Sequence, residues 1–113
     1  MDHRSGLCPL YHHAVEVIGR RWSGAIVMLL MKAESARFNE LLAAIPGISD
    51  RLLSERLREL EDEGIVQRSV ENGRPVRVFY SLTPCGRALR PVIEELGKWA
   101  QAWVGPGRIA DSA

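Results

Sequence analysis

Cys8 and His12 stand four residues apart in CPLYH, one helical turn, a spacing that puts a thiol and an imidazole on the same face. A thiol at a helix start is favoured as thiolate by the helix dipole, so modest nucleophilic or redox reactivity is open to Cys8. A buried, inert thiol is the alternative. Cys85, in the first turn of the last expected helix, meets the same dipole argument. Cys8, His3, His12 and His13 can also be read as a metal cluster, because C-x3-H places two ligands one turn apart. Two ligands do not make a site, and adjacent histidines point about 100° apart, so no metal is expected. No Gly-rich phosphate loop, paired-carboxylate site or Ser/His/Asp arrangement accompanies the cysteines. A cysteine-nucleophile enzyme would need a base and an oxyanion site. Neither an enzyme nor a cofactor is expected.

A second set of residues lies in PGISDRLLSERLRELEDEG, Pro46 to Gly64. On a helix, Leu53, Leu57 and Leu60 form one apolar stripe at i, i+4 and i+7. Arg51, Ser54, Glu55, Arg58 and Asp62 fall on the opposite half. Ser49 stands where an N-cap belongs and Gly64 where a C′ residue belongs. Arg56 lies near the buried stripe and is expected to pair with an internal carboxylate. Further on, Asn72, Gly73, Arg74 and Arg77 cluster in a hairpin signal.

Other elements must position these groups. Residues 1–7 read as a flexible arm and 105–113 as a flexible tail. PLYHHAVEVI, Pro9 to Ile18, has helical spacing, and Gly19 breaks it. Ser23 to Met31 is a second helix, apolar nearly all round and therefore central. After the link KAESA, Phe38 to Ile45 forms a third, with Phe38, Leu41, Leu42 and Ile45 inward. The Pro-Gly turn then joins it to the helix described above, a helix-turn-helix pattern. Ile65 to Val70 reads as a strand, Asn72-Gly73 as the hairpin turn, and Val76 to Leu82 as an alternating strand. On the second strand Val76, Val78, Tyr80 and Leu82 share one face, and Arg77, Phe79 and Ser81 the other. Thr83-Pro84 caps a last helix toward Val104, which Pro91 should kink or split. The expected fold is mainly α with a small β-hairpin wing: one winged helix-turn-helix domain over 1–113 with an extra helix at each end.

The chain has 113 residues, 26% charged, and a net charge of +1. Bulk charge therefore does not draw it to nucleic acid, and any anion site must come from local placement of arginine. The longest strongly apolar run, Ala25 to Met31, is too short to span a bilayer, and the N-terminus lacks a signal-peptide core. A cytoplasmic protein with no membrane partner and two reduced cysteines is expected.

A helix after such a turn and before an arginine-bearing hairpin suits double-stranded DNA. Its N-terminal half can enter the major groove while the hairpin reaches an adjacent minor groove or backbone. Ser49, Asp50, Arg51, Ser54 and Glu55 would then be at the groove. Arg51 can bond guanine O6 and N7, and Glu55 can accept from cytosine N4. The two can instead close on each other as an i,i+4 salt bridge. Arg58, Arg74 and Arg77 with Asn72 suit phosphate, as does Arg37 just before the third helix; an ordinary solvated hairpin tip is the alternative for Arg74. A winged helix repurposed for protein contacts, with no salt-sensitive DNA affinity, is the competing function.

The motifs CP (Cys8-Pro9), GRRW (Gly19–Trp22), RFNEL (Arg37–Leu41), PGIS (Pro46–Ser49), LSERLRELEDEGIV (Leu53–Val66), VFYSLTPCGRAL (Val78–Leu89) and Trp99 run in order through most of the chain. Together they resemble the HxlR-type family of bacterial winged-helix transcriptional regulators, relatives of the MarR type. The resemblance implies a homodimer built from the first and last helices, bound to a pseudo-palindromic operator and usually repressing. The surplus of apolar residues in those helices, Leu10, Tyr11, Ala14, Val92, Leu96, Trp99 and Trp103, agrees with such an interface. The resemblance also marks Cys8 as a sensor of oxidants or electrophiles. Cys85 replaces an acidic residue common in the family, which leaves its role open. A cavity between the dimer helices and the winged domain could take a small-molecule effector, with His13, Tyr11 and Trp22 near it.

Overall fold

A computed structural model describes residues 6–107. Helices α1 (Pro9–Gly19), α2 (Ser23–Lys32), α3 (Phe38–Ala44) and α4 (Asp50–Asp62) come first. Strands β1 (Val66–Glu71) and β2 (Arg77–Leu82) follow, then a single turn α5 (Pro84–Arg87) and helix α6 (Arg90–Trp103). This is the expected winged helix-turn-helix with a helix added at each end. Of the expected terminal arm and tail, residues 1–5 and 108–113 lie outside the described residues.

The core gathers Ile26, Val27 and Leu30 of α2, Leu41 of α3, Leu53, Leu57 and Leu60 of α4, and Ile65, Val66 and Leu82 at the root of the wing. Each such side chain stabilises the fold by about 1.5–3 kcal/mol relative to exposure. The amphipathic period of α4 thus has the meaning read from it. Its ends are set by local chemistry. The Ser49 hydroxyl accepts from the Leu52 N–H at 3.1 Å, and Gly64 takes the left-handed conformation, φ +75°, that stops a helix.

The hairpin differs from the expected one. Glu71 pairs with Arg77, so residues 72–76 form a five-residue loop and Gly73 is not in a left-handed turn. Pro75, which stands in this loop after a cis peptide bond, has no N–H to give a ladder, and pairing stops at Arg77, two residues beyond it. Val76 is consequently exposed instead of heading the inner face, and Phe79, expected on the outer face, is half-buried. The link before α3 also does more than connect. Ala36 and Tyr80 exchange two backbone hydrogen bonds, 2.9 and 2.8 Å, which pin β2 to the α2–α3 junction.

Thr83 locks the other side of the wing. Its hydroxyl donates to the Gly64 carbonyl at 2.5 Å, with the Ile65 carbonyl at 3.2 Å, and accepts from the Gly86 N–H at 3.0 Å. The end of α4 and the start of α5 are thereby held together. Gly86 sits in this joint, where an added Cβ would run into the Ile65 carbonyl oxygen. Gly86→Ala is expected to cost about 1–3 kcal/mol through overpacking, read as a lowered urea midpoint at unchanged slope.

The final helical stretch is split, as Pro91 foretold, into α5 and α6. The dipole argument for Cys85 falls with that split: Cys85 is exposed within a four-residue turn, which has no macrodipole to speak of.

Candidate nucleic-acid interface

Three stripes run along α4. The leucines face the core, as above. A second stripe, Arg51, Ser54 and Arg58 with the edge of Glu55, faces solvent. Arg51 is open to solvent, its side chain 83% exposed. Its nearest Glu55 oxygen is 3.9 Å away, a loose surface pair that contributes little and can exchange for another partner. Asp50 is exposed in the first turn beside Ser49. Ser49 spends its acceptor on the cap, leaving its hydroxyl proton free to donate.

Around this face lie the other expected contacts. Arg37 caps α3 with its backbone N–H, which donates to Glu40 Oε1 at 2.7 Å, and its side chain is exposed. Asn72 and Arg74 stand in the wing loop, and Arg77 opens β2 opposite Glu71. Among the described residues, Arg37, Arg58, Arg74 and Arg77 make no ion pair within 4 Å. Sequence reasoning passed over Arg68, an exposed cation on β1 opposite Tyr80. Only the register distinguishes it from a filler on an alternating strand.

The third stripe, Arg56, Glu59 and Glu63, recurs at i, i+3 and i+7 on one flank. Arg56, its side chain only 15% exposed, donates from Nε to the Arg21 carbonyl at 2.8 Å and pairs through Nη1 with Glu59 at 3.1 Å. This is the internal ion pair expected of it. Arg20 reaches Glu59 at 2.7 Å, and His13 reaches Glu63 at 3.0 Å. The Glu59 hydrogen bond, then its charge, raise the pKa of Arg20 further above its ordinary value. Neither Arg20 nor Glu59 was singled out in the sequence, since nothing in GRRW names a partner almost forty residues away.

The cleft between α1 and α4 has a volume of about 260 Å³. Of the three residues expected near an effector, only His13 lines it; Tyr11 and Trp22 do not. Its walls mix charged side chains with apolar Val17 and Leu60, and its histidine and arginine are already paired with carboxylates.

Cys8 is half-buried at the start of α1, ahead of Pro9 in the first turn. His12 does not serve it as expected: its imidazole is drawn to Glu16, four residues on, at 2.7 Å. Among the described residues no three His, Cys, Asp or Glu side chains could share a metal ion, and no helix is long and apolar enough to cross a membrane. His3 lies outside the described residues.

Val92, Leu96, Trp99 and Trp103 recur at i, i+4, i+7 and i+11 along α6, and all are exposed. Leu10, Tyr11 and Ala14 of α1 are exposed too. Leu89 and Ile93, on the other side of the same segment, pack on the core.

The sequence model of the HxlR-like helix-turn-helix family matches residues 17–108. The HTH-type transcriptional regulator YvaP of Bacillus subtilis is 48% identical over 91% of this chain and 94% of its own. The structure of the reduced form of the transcriptional regulator YodB, also from Bacillus subtilis, superposes with a TM-score of 0.79 at 42% identity, covering 88% of this chain and 97% of that one. YodB has also been solved diamide-treated and quinone-bound. The redox regulator HypR in its oxidised form superposes with a TM-score of 0.77 at 38% identity, covering 84% of this chain and 96% of that one.

Proposed function

Because the chain belongs to the HxlR-like helix-turn-helix family, whose members are transcriptional regulators and not enzymes, we propose that it acts as a homodimer on a pseudo-palindromic operator. In this reading each protomer lays the solvent stripe of α4 in a major groove. Arg51 and Glu55 meet base edges, with Ser49, Asp50 and Ser54 beside them. Arg58, Arg37, Asn72, Arg74 and Arg77 meet the backbone and set the register without specifying sequence. The dimer represses by covering the operator against polymerase, in the cytoplasm. The observation that carries this reading is the open face of α4: an arginine-bearing stripe, fully outside the core and scarcely paired, on the helix that follows the turn.

The unpartnered apolar stripe of α6, with Leu10, Tyr11 and Ala14 of α1, supports the dimer, since monomers seldom leave such a run of aromatic surface open. In the same reading Cys8 senses oxidants or electrophiles. Its place at the head of a helix that also carries the dimer surface supports this, as do the redox and quinone-bound forms known for YodB and HypR. The loss of His12 to Glu16 leaves the helix start as the local feature that favours a thiolate.

The test is binding of the purified protein to DNA upstream of its own gene, against scrambled DNA, across a salt series. Preference for its own DNA with a steep salt slope is expected. No preference at any salt would direct attention to protein partners. Diamide treatment should shift the affinity of the parent and leave that of Cys8→Ser unchanged. In the same assay Arg74→Ala should weaken both DNAs alike and reduce the salt slope by about 1, the mark of one lost phosphate contact.

A further inference from the structure

The corner between α1 and α2, Gly19-Arg20-Arg21-Trp22, touches the helix-turn-helix in two places at once. Arg20 and the Arg21 carbonyl hold Glu59 and Arg56 on the flank of α4. Trp22 stands against the turn itself: a Cβ on Gly47 would meet its Cη2 at 3.5 Å. Gly47 has φ +91° and admits no side chain without strain. His13, nearly two turns earlier on α1, adds Glu63. One continuous segment thus grips both the turn that precedes α4 and the flank along it.

The corner is also held in an unfavourable backbone. Trp22 has φ +79°, the only non-glycine left-handed residue among those described. A bulky residue in that region persists only where its surroundings over-determine it. Here the Ser23 N–H closes a turn on the Arg20 carbonyl at 3.0 Å, and the Arg21 guanidinium lies 4.8 Å over the indole ring. Trp22 packs against the core, whereas the Arg20 side chain beside it is half-exposed and turned to Glu59.

The geometry points to Arg20 and Glu59 as positioning residues for DNA reading: their pair sets the angle at which α4 leaves the dimer helix and enters the groove. The inference rests on α4 being the reading helix, as proposed above. Neither residue touches base or phosphate in this scheme. Their effect is on specificity, because base-edge contacts need the helix in one pose while loose phosphate contact does not.

Electrostatics alone predicts a different result for Glu59→Gln, with no change in specificity. Removing a carboxylate from a DNA-binding protein should raise affinity for every DNA. The experiment compares the parent, Glu59→Gln, Arg20→Gln and Arg20→Lys for own-gene DNA and scrambled DNA, with urea midpoints and sedimentation alongside. Glu59→Gln is expected to lower the ratio of own-gene to scrambled affinity by about fivefold or more, with scrambled-DNA affinity unchanged or higher. Arg20→Gln should lower the ratio likewise, with scrambled-DNA affinity unchanged or lower because a cation is lost, and Arg20→Lys should retain most of the ratio. Dimer state should barely move, and the Arg20→Gln midpoint should stay near the parent's, since its exposed pair contributes little to folding; Glu59→Gln also takes the carboxylate from Arg56, only 15% exposed, so a modestly lower midpoint is expected of that variant. An unchanged or raised ratio in both Gln variants overturns the inference. So does a ratio that falls only in step with the urea midpoint. A parent with no preference for its own DNA is a different result, visible before any variant is compared, and it fails the proposed function itself.

Discussion

Arg51→Ala is expected to abolish most of the preference for one base step while leaving the fold intact. A bidentate guanidinium–guanine contact discriminates by about 1–3 kcal/mol against the wrong base, roughly 5- to 150-fold in affinity ratio. The side chain is 83% exposed and its one carboxylate neighbour is at 3.9 Å, so little folding energy is lost with it. Surface substitutions of this kind usually stay within about 0.5 kcal/mol. In the proposed dimer Arg51 is presented twice, so the loss appears in both half-sites. The measurement is a competition series in which each operator position is varied in turn, for parent and variant. Relaxation confined to symmetric positions supports base reading. A uniform drop across all sequences, with a shallower salt slope, would make Arg51 a phosphate contact and remove it from the reading set.

Trp99→Glu is expected to convert the proposed dimer to a folded monomer. Trp99 is 57% exposed and Trp103 73% exposed on the same stripe. A tryptophan at the centre of an interface commonly accounts for at least about 2 kcal/mol, roughly thirtyfold in the dimer Kd. A buried carboxylate without a partner adds a further penalty. Folding should survive, because Ile93 of α6 and Leu89 just before it make the core contacts and are untouched. Sedimentation equilibrium reads the Kd, and a half-site duplex against the full operator reads the consequence. The variant should keep the parent's affinity for a half-site and lose the gain that comes from binding two at once. A variant as dimeric as the parent would place the interface elsewhere.

Where local signals were strong, the reading along the chain held. The leucine period of α4, the Ser49 cap and the Gly64 stop reappear with the bonds they imply, because caps and amphipathic stripes are decided within one or two turns. Pro91 split the last helix for an equally local reason: a proline inside a helix removes a hydrogen bond. The wing turn was misread because Asn72-Gly73 is a strong signal only when the strands can pair up to it. Pro75 prevents that. The His12 assignment failed because one turn in either direction offers a partner, and Glu16 is a better one for an imidazole than a thiol.

By itself, then, the sequence determined the order of elements, the face of α4 that stays outside, and the stripe of α6 that lacks a partner. Those follow from periodicity, which every residue of an element repeats. Tertiary structure alone decided how the elements are tied: Ala36 to Tyr80, Thr83 to Gly64, and the α1–α2 corner to the flank of α4. Each tie is a single long-range pairing between residues that are unremarkable in their own segments. A periodic pattern says which side of a helix turns inward, but the angle between two helices is set by the few side chains that meet across the gap.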